Sequence, residues 1–200
     1  MRKFTPSLFF VTAALCVLSP LTAQTPAPKA AAKKGAATST GSWSPHLTTS
    51  AKIDDNRVML VYGSPNLKDP KKDGAVRKVW GGLVPFGKIW RLGSDEATLL
   101  ITQKDLELGG TALPAGAYSL YLQPEADGSA KLVVNKAVGQ WGADSYPAAT
   151  EVARIALKKT ELPASVEQFT MSVKKAASGG GVLSLAWENL EYSAPYALKK

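Results

Sequence analysis

The sequence predicts an all-β fold, an antiparallel β-sandwich whose jelly-roll or immunoglobulin-like topology is left open, and three observations carry that reading. Apolar and polar residues alternate with period two in several short runs: Phe169, Met171 and Val173 against Thr170, Ser172 and Lys174, or Leu183, Leu185 and Trp187 against Ser184, Ala186 and Glu188. Turn residues separate the runs. Finally, 17 Gly and 13 Pro in 200 residues stand without any long helical periodicity.

Taken from the N-terminus, the chain falls into three parts. Residues 1–23 read as a signal peptide: Arg2 and Lys3, then the apolar run Leu8–Leu18, then Ser19-Pro20 and a small residue, Ala23, at the expected cut. The apolar run is too short to span a membrane. Cleavage before Cys16 to give a lipoprotein is disfavoured, because Leu15 stands where a small residue is needed. Residues 24–42 lack large apolar side chains and read as a flexible Ala/Pro/Lys linker. Residues 43–200 are then one β-sandwich domain, exported to the periplasm or beyond the cell, with no transmembrane segment once the signal is removed.

Within that domain Asp54-Asp55-Asn56 is a hairpin turn between Leu47–Ile53 and Arg57–Tyr62. Val58–Tyr62 is apolar at every position, as a central strand covered on both faces would be. Gly109-Gly110 follows Leu106–Leu108; Pro114-Ala115-Gly116 precedes Ala117–Pro124, where Tyr118, Leu120 and Leu122 face inward; Asp127-Gly128 precedes Lys131–Asn135. Ala149–Lys159 fits a helix or a strand about equally. Gly179-Gly180-Gly181 joins Phe169–Lys174 to Val182–Trp187.

Charge narrows the function classes. The chain is formally +8, with 24 basic and 16 acidic residues, but seven of the basic ones are Arg2, Lys3, Lys29, Lys33, Lys34, Lys199 and Lys200. The remaining 17 nearly balance the 16 acids, so there is no basic field for nucleic acid. One His, His46, and one Cys, Cys16, exclude any His₂, Cys₂His₂ or Cys₄ metal cluster. No nucleophile elbow, phosphate-cradling loop or dinucleotide fingerprint is present, and the reading calls for no cofactor and no metal.

The most informative stretch runs from Tyr62-Gly63-Ser64-Pro65 through Trp80-Gly-Gly-Leu-Val-Pro-Phe-Gly-Lys-Ile-Trp90-Arg91-Leu-Gly-Ser-Asp95-Glu96-Ala-Thr98. With Leu113–Leu120, Asn135-Lys136, Gly139-Gln140-Trp141-Gly142, Phe169-Thr170 and Trp187-Glu188-Asn189, it closely resembles the bacterial family of exported domains called domain of unknown function 2911. That family's hallmark looks like Trp-Arg-Thr-Gly-Ala-Asn-Glu-Ala-Thr after Gly-Gly-Leu-Val-Pro-Tyr-Gly. The resemblance implies an all-β exported domain and no particular activity. This chain departs from the pattern at Leu92, Ser94 and Asp95, where Thr, Ala and Asn are usual, at Ser64, where Arg is common, and in a long Asn66–Lys78 loop.

Six residues are candidates for a contact surface: Tyr62, Trp80, Trp90, Arg91, Glu96 and Trp141. Arg91 offers a planar fork of donors suited to a carboxylate, beside an indole, but the preferred reading is a brace that pairs internally with Asp95 or Glu96. Trp141, between Gly139 and Gly142, is the indole expected at a surface or pocket, whereas Trp187 belongs to the core; Trp80 and Trp90 suit core and pocket lining alike. Asp95 and Glu96 are adjacent and point apart in an extended segment, and His46 has no nucleophile near it in sequence. Two functions are therefore expected in this order. The first is an envelope module that binds a small molecule, a glycan or a protein partner; the second is a carboxylate-dependent, carbohydrate-active hydrolase.

Overall fold

The computed structural model describes residues 44–199 except Pro70 and Ser178. The signal peptide, the linker, Cys16 and Trp43 lie outside the described residues. The architecture is an all-β sandwich of antiparallel sheets. Its strands are β1 (His46–Ile53), β2 (Asn56–Gly63), β3 (Lys68–Asp69), β4 (Ala75–Val76), β5 (Thr98–Thr102), β6 (Leu106–Leu108), β7 (Thr111–Leu113), β8 (Gly116–Pro124), β9 (Ala130–Asn135), β10 (Glu151–Ala156), β11 (Lys158–Lys175) and β12 (Gly181–Leu198). A six-stranded sheet has the order β1-β2-β5-β8-β9-β10, a four-stranded sheet β11-β12-β6-β7, and β3 and β4 form a small ribbon. Among the described residues no helix is long and apolar enough to cross a membrane.

Local chemistry explains the connections. Asp54 and Asp55 both take positive φ, 48° and 61°, the geometry of a two-residue type I′ turn whose twist matches the strands it joins. Asp and Asn tolerate that region better than other side-chain-bearing residues, so the turn is legible in sequence. The β6–β7 hairpin leaves the six-stranded sheet after β5 and pairs with β12, and β8 returns to pair with β5. After β2 the chain also changes partner: Phe169 N–H donates to Pro65 O at 2.9 Å and Leu67 N–H to Glu167 O at 2.5 Å. One continuous segment thus lies against both sheets and closes a corner of the sandwich.

The core fills the space between the layers. Val58, Leu60, Tyr62, Leu100, Leu120, Leu122, Leu132 and Val134 of one sheet meet Phe169, Met171, Val173, Leu183, Leu185 and Trp187 of the other. Each such side chain contributes roughly 1.5–3 kcal/mol on burial.

Two strands differ from expectation, and one open case is decided. Met59 and Val61 on β2 are only half-buried, so β2 alternates and is not covered on both faces. The reverse holds for β8, where Ser119 and Tyr121 are as buried as Leu120, because a second cluster of Ala97, Tyr121 and Val133 is roofed by Ile89, Ala143 and Tyr146. Ala149–Lys159, open between helix and strand, begins with a short 3₁₀ turn, Ala148–Thr150, and becomes β10 and the start of β11.

Candidate ligand-binding site

The segment that stood out in sequence is an excursion from a strand. Trp90 exchanges both backbone hydrogen bonds with Leu122, N–H to O and back at 2.8 Å each, and Thr98 pairs with Leu120 on the same strand. On β8 a single residue, Tyr121, separates those partners, whereas seven residues, Arg91 to Ala97, stand opposite it. Those residues must leave the sheet, and they form a loop with both ends fixed on a central strand. Thr98 closes the loop's neck, its Oγ1 donating to Leu92 O at 2.6 Å and its N–H to Arg91 O at 3.1 Å.

Other motif segments hold the loop from outside. Ser94 N–H donates to Gly63 O at 3.3 Å, and a side chain on Gly63 would collide with the carbonyl and hydroxyl of Ser94. Gly63 is therefore required by the close approach of two backbones. On the far side Ala97 N–H donates to Gln140 O at 2.9 Å and Gly142 N–H to Asp95 O at 3.0 Å, bracketing the bridge between Glu96 and Trp141. His46 Nε2 sits 3.0 Å from Glu96 Oε2 and 3.9 Å from Asp95 Oδ2. Partial burial works against the Glu96 carboxylate, but its own backbone N–H and His46 outweigh that and hold its pKa below the usual range.

The backbone here is strained. Leu92 (φ 57°) and Asp95 (φ 66°) lie in the left-handed region, and so does Glu188 (φ 56°), next to Trp187 on β12. A fully buried leucine in that conformation is uncommon and persists only where its surroundings fix it.

Beneath the loop is a cluster of rings drawn from both sheets. Trp90 stacks on Trp187 at 5.8 Å and 17°, and Phe169 packs edge-on to both at 5.2 and 5.7 Å. Trp80 meets Trp90 edge-on at 6.5 Å and Tyr192 at 5.6 Å. Two cavities open beside this cluster. The first, about 290 Å³, is lined by Trp90, Arg91, Ser94, Asp95, Trp187 and Arg77, among others. The second, about 480 Å³, is lined by Lys88, Ile89, Asp144 and Tyr146, and shares Leu83, Trp90 and Arg91 with the first. Each is lined by one carboxylate, Asp95 in the first and Asp144 in the second.

The six candidate residues part company. Tyr62 is core: 3 % exposed, edge-on to Phe169, its hydroxyl donating to Met171 O at 3.4 Å. Trp80 is half-buried and supports Trp90 from behind. Trp90 and Arg91 line both cavities. The brace preferred for Arg91 from sequence is not what forms: Glu96 is paired with His46, and Arg91 makes no ion pair among the described residues, its buried Nε without a partner. Trp141 is 75 % exposed on the rim and lines neither cavity. Trp187 is core, as its place in the alternation predicted.

Sequence reasoning missed Arg77, Ser94 and Lys88, and it took Asp95 for a brace or surface charge. Arg77 arrives from the long loop after β2, anchored by hydrogen bonds from its guanidinium to the carbonyls of Asn66 and Leu67, with its charge 5.9 Å from the Trp187 ring centroid. No pattern in the sequence marks it: it follows the two-residue strand β4, in a segment placed by the pairing of Asn66 with Gln168 and of Leu67 with Glu167. Tyr146 was not singled out either. Burial and a 2.6 Å hydrogen bond to Glu151 push its pKa up to about 12.

Residues 44–196, nearly all of the described chain, match the family described as protein of unknown function DUF2911. The chain belongs to that family. No curated protein and no solved structure gives a significant match. The DUF2911 motifs recognised in sequence are thereby joined in space: 62–65, 90–98 and 139–142 are tied by backbone hydrogen bonds, and 169 and 187 supply the rings beneath them.

Proposed function

We propose that this DUF2911 chain is an exported envelope module that binds a small molecule or a short glycan in the cavities beneath its Trp90–Thr98 segment. The observation that carries the reading is Arg91. A charged, hydrogen-bond-rich side chain standing at the junction of two cavities, beside an indole and without a partner among the described residues, is poor structural design and good ligand-binding design. The surrounding loop is pinned at its neck, at Gly63 and at Gln140–Gly142, so the site is held in place before a ligand arrives. Export follows from the N-terminal pattern of residues 1–23 and is checked by N-terminal sequencing of the secreted protein.

The test is a thermal-shift screen of small metabolites and short saccharides on the full chain. A true ligand raises the melting temperature in proportion to the logarithm of its concentration. Arg91→Lys, which keeps the charge but loses the planar fork, should abolish that rise while leaving the unliganded melting temperature unchanged. A library in which no compound shifts the wild type, or a shift that Arg91→Lys leaves intact, sinks the proposal.

A further inference from the structure

Three of the seven buried side-chain polar atoms without a partner among the described residues, Arg91 Nε, Trp187 Nε1 and Ser94 Oγ, belong to residues that line one cavity, although Trp187 is fully buried and Ser94 Oγ is packed on Gly63. Buried polar groups ordinarily find partners, and each exception asks what is missing. Arg91 can only donate and makes no ion pair among the described residues, so this wall calls for an acceptor. Arg77 adds a second guanidinium, so two cations face a single carboxylate, Asp95. The unpaired fork of Arg91 suits a carboxylate, and Arg77, whose Nε and Nη2 already serve the carbonyls of Leu67 and Asn66, adds a second positive charge beside it. Asp95 makes the cavity more than an anion hole, because an ionised carboxylate only accepts and thus selects a donor on the same ligand.

Ring stacking does not compete. One face of Trp90 is covered by Trp187, Phe169 and Trp80 pack against it edge-on, and Trp187 is fully buried. The indoles are therefore walls, and recognition falls to the charged groups. At about 290 Å³ the first cavity sits at the low end for a small-molecule site, and the shared residues Leu83, Trp90 and Arg91 let a longer ligand continue toward Lys88.

We infer that the first cavity takes a hydroxycarboxylate, with the carboxylate between Arg77 and Arg91 and a hydroxyl donating to Asp95. This rests on the binding reading above and names the chemistry it would recognise. A sugar acid and an open-chain hydroxy acid share that chemistry, and the probes separate them.

The experiment is calorimetric titration of the full chain with D-glucuronate, tartrate, D-glucose and glutarate at matched ionic strength. Glucuronate or tartrate should bind, and whichever binds more tightly identifies the source; glucose, lacking the carboxylate, and glutarate, lacking the hydroxyl, should each be weaker by on the order of tenfold. Arg77→Lys should weaken the hydroxycarboxylate similarly; because it also loses the guanidinium's bonds to the carbonyls of Asn66 and Leu67, it is titrated well below its own, lower unliganded melting temperature. Asp95→Asn should narrow the gap between the hydroxycarboxylate and glutarate, since it removes a charge that repels both and leaves the hydroxyl only an uncharged amide oxygen to donate to. Glucose or glutarate binding as tightly as the hydroxycarboxylates overturns the inference and leaves the binding reading standing. So does a library hit, lost in Arg91→Lys, when none of these probes binds. If neither the probes nor the library bind, both fall.

Discussion

At the scale of single residues, two glycines show that one residue type can be required for different reasons. Gly63 is tied by space: a methyl group there meets the hydroxyl of Ser94 and its backbone carbonyl, and the Ser94 backbone is held by its N–H on Gly63 O. Gly142 is tied by conformation alone, with φ 70° and open space around it. Gly63→Ala should therefore destabilise by about 1–3 kcal/mol through overpacking and loosen the Arg91 loop with it. Gly142→Ala should cost about 1–2 kcal/mol from the left-handed backbone without disturbing the cavity. Urea midpoints give the two stabilities, and titration of whatever ligand the screen yields gives the difference in binding. The titratable residues add a second expectation. The folded pKa of Glu96 lies below its ordinary 4.5, so its pairing with His46 contributes stability above that range and loses it as pH falls through the folded value. For Tyr146 the sign is opposite. Its neutral form is favoured, so stability is present below pH 10.0 and is lost as pH rises toward about 12. Because Glu96 is 40 % exposed its share is small, and His46→Ala should flatten the acid limb of the stability curve without touching the alkaline one. An unchanged acid limb in that variant removes the pair from the account.

The elements differ in how far the sequence announces them. The β1–β2 turn, the glycine-rich β11–β12 connection and the inward faces of Phe169–Val173 and Leu183–Trp187 are legible because each is a local rule: a turn residue at a tight reversal, or one buried face at period two. Where a strand is covered by a loop the rule breaks. Tyr121 is buried by residues that arrive from 89 and from 143–146, which no window around β8 contains. The site follows the same division. Trp90 and Arg91 stand out as an aromatic beside a cation among glycines, yet the partner of Glu96 is His46, fifty positions away, and Arg77 reaches the cavity from a ribbon that sequence reads only as a long loop. What reveals the site in sequence is the mismatch in length between the segment 90–98 and the strand it pairs with, visible once Trp90 and Thr98 are placed on β8. The clip between 95–97 and 140–142 is made by backbone groups, so its strength does not depend on the indole of Trp141. Trp141→Ala should therefore change stability by no more than about 0.5 kcal/mol, as for an ordinary surface site, and leave cavity binding intact. Loss of small-molecule binding in that variant would move the contact surface outward to the rim.

On the scale of the whole molecule, the cavity is where the two layers meet. Trp90 and the loop hang from the six-stranded sheet, Trp187 belongs to β12 of the four-stranded sheet, and Arg77 comes from the segment that crosses between them. A ligand that touches all three is bound to a space that exists only while the sheets are packed. It therefore opposes global unfolding, and the added stability is set by concentration: about 2.7 kcal/mol at a hundredfold excess over its dissociation constant. A ligand that touched the loop alone would slow only local opening, since loops open at far lower free energy than core strands. Amide hydrogen exchange separates these cases. With ligand bound, the amides of Ser94 and Ala97 in the loop should slow, and so should the slowest amides of β2, β8 and β12, the last by the same factor that the melting curve implies. Slowing confined to residues 91–97 would place the ligand on the loop surface and remove Arg77 and Trp187 from its binding site.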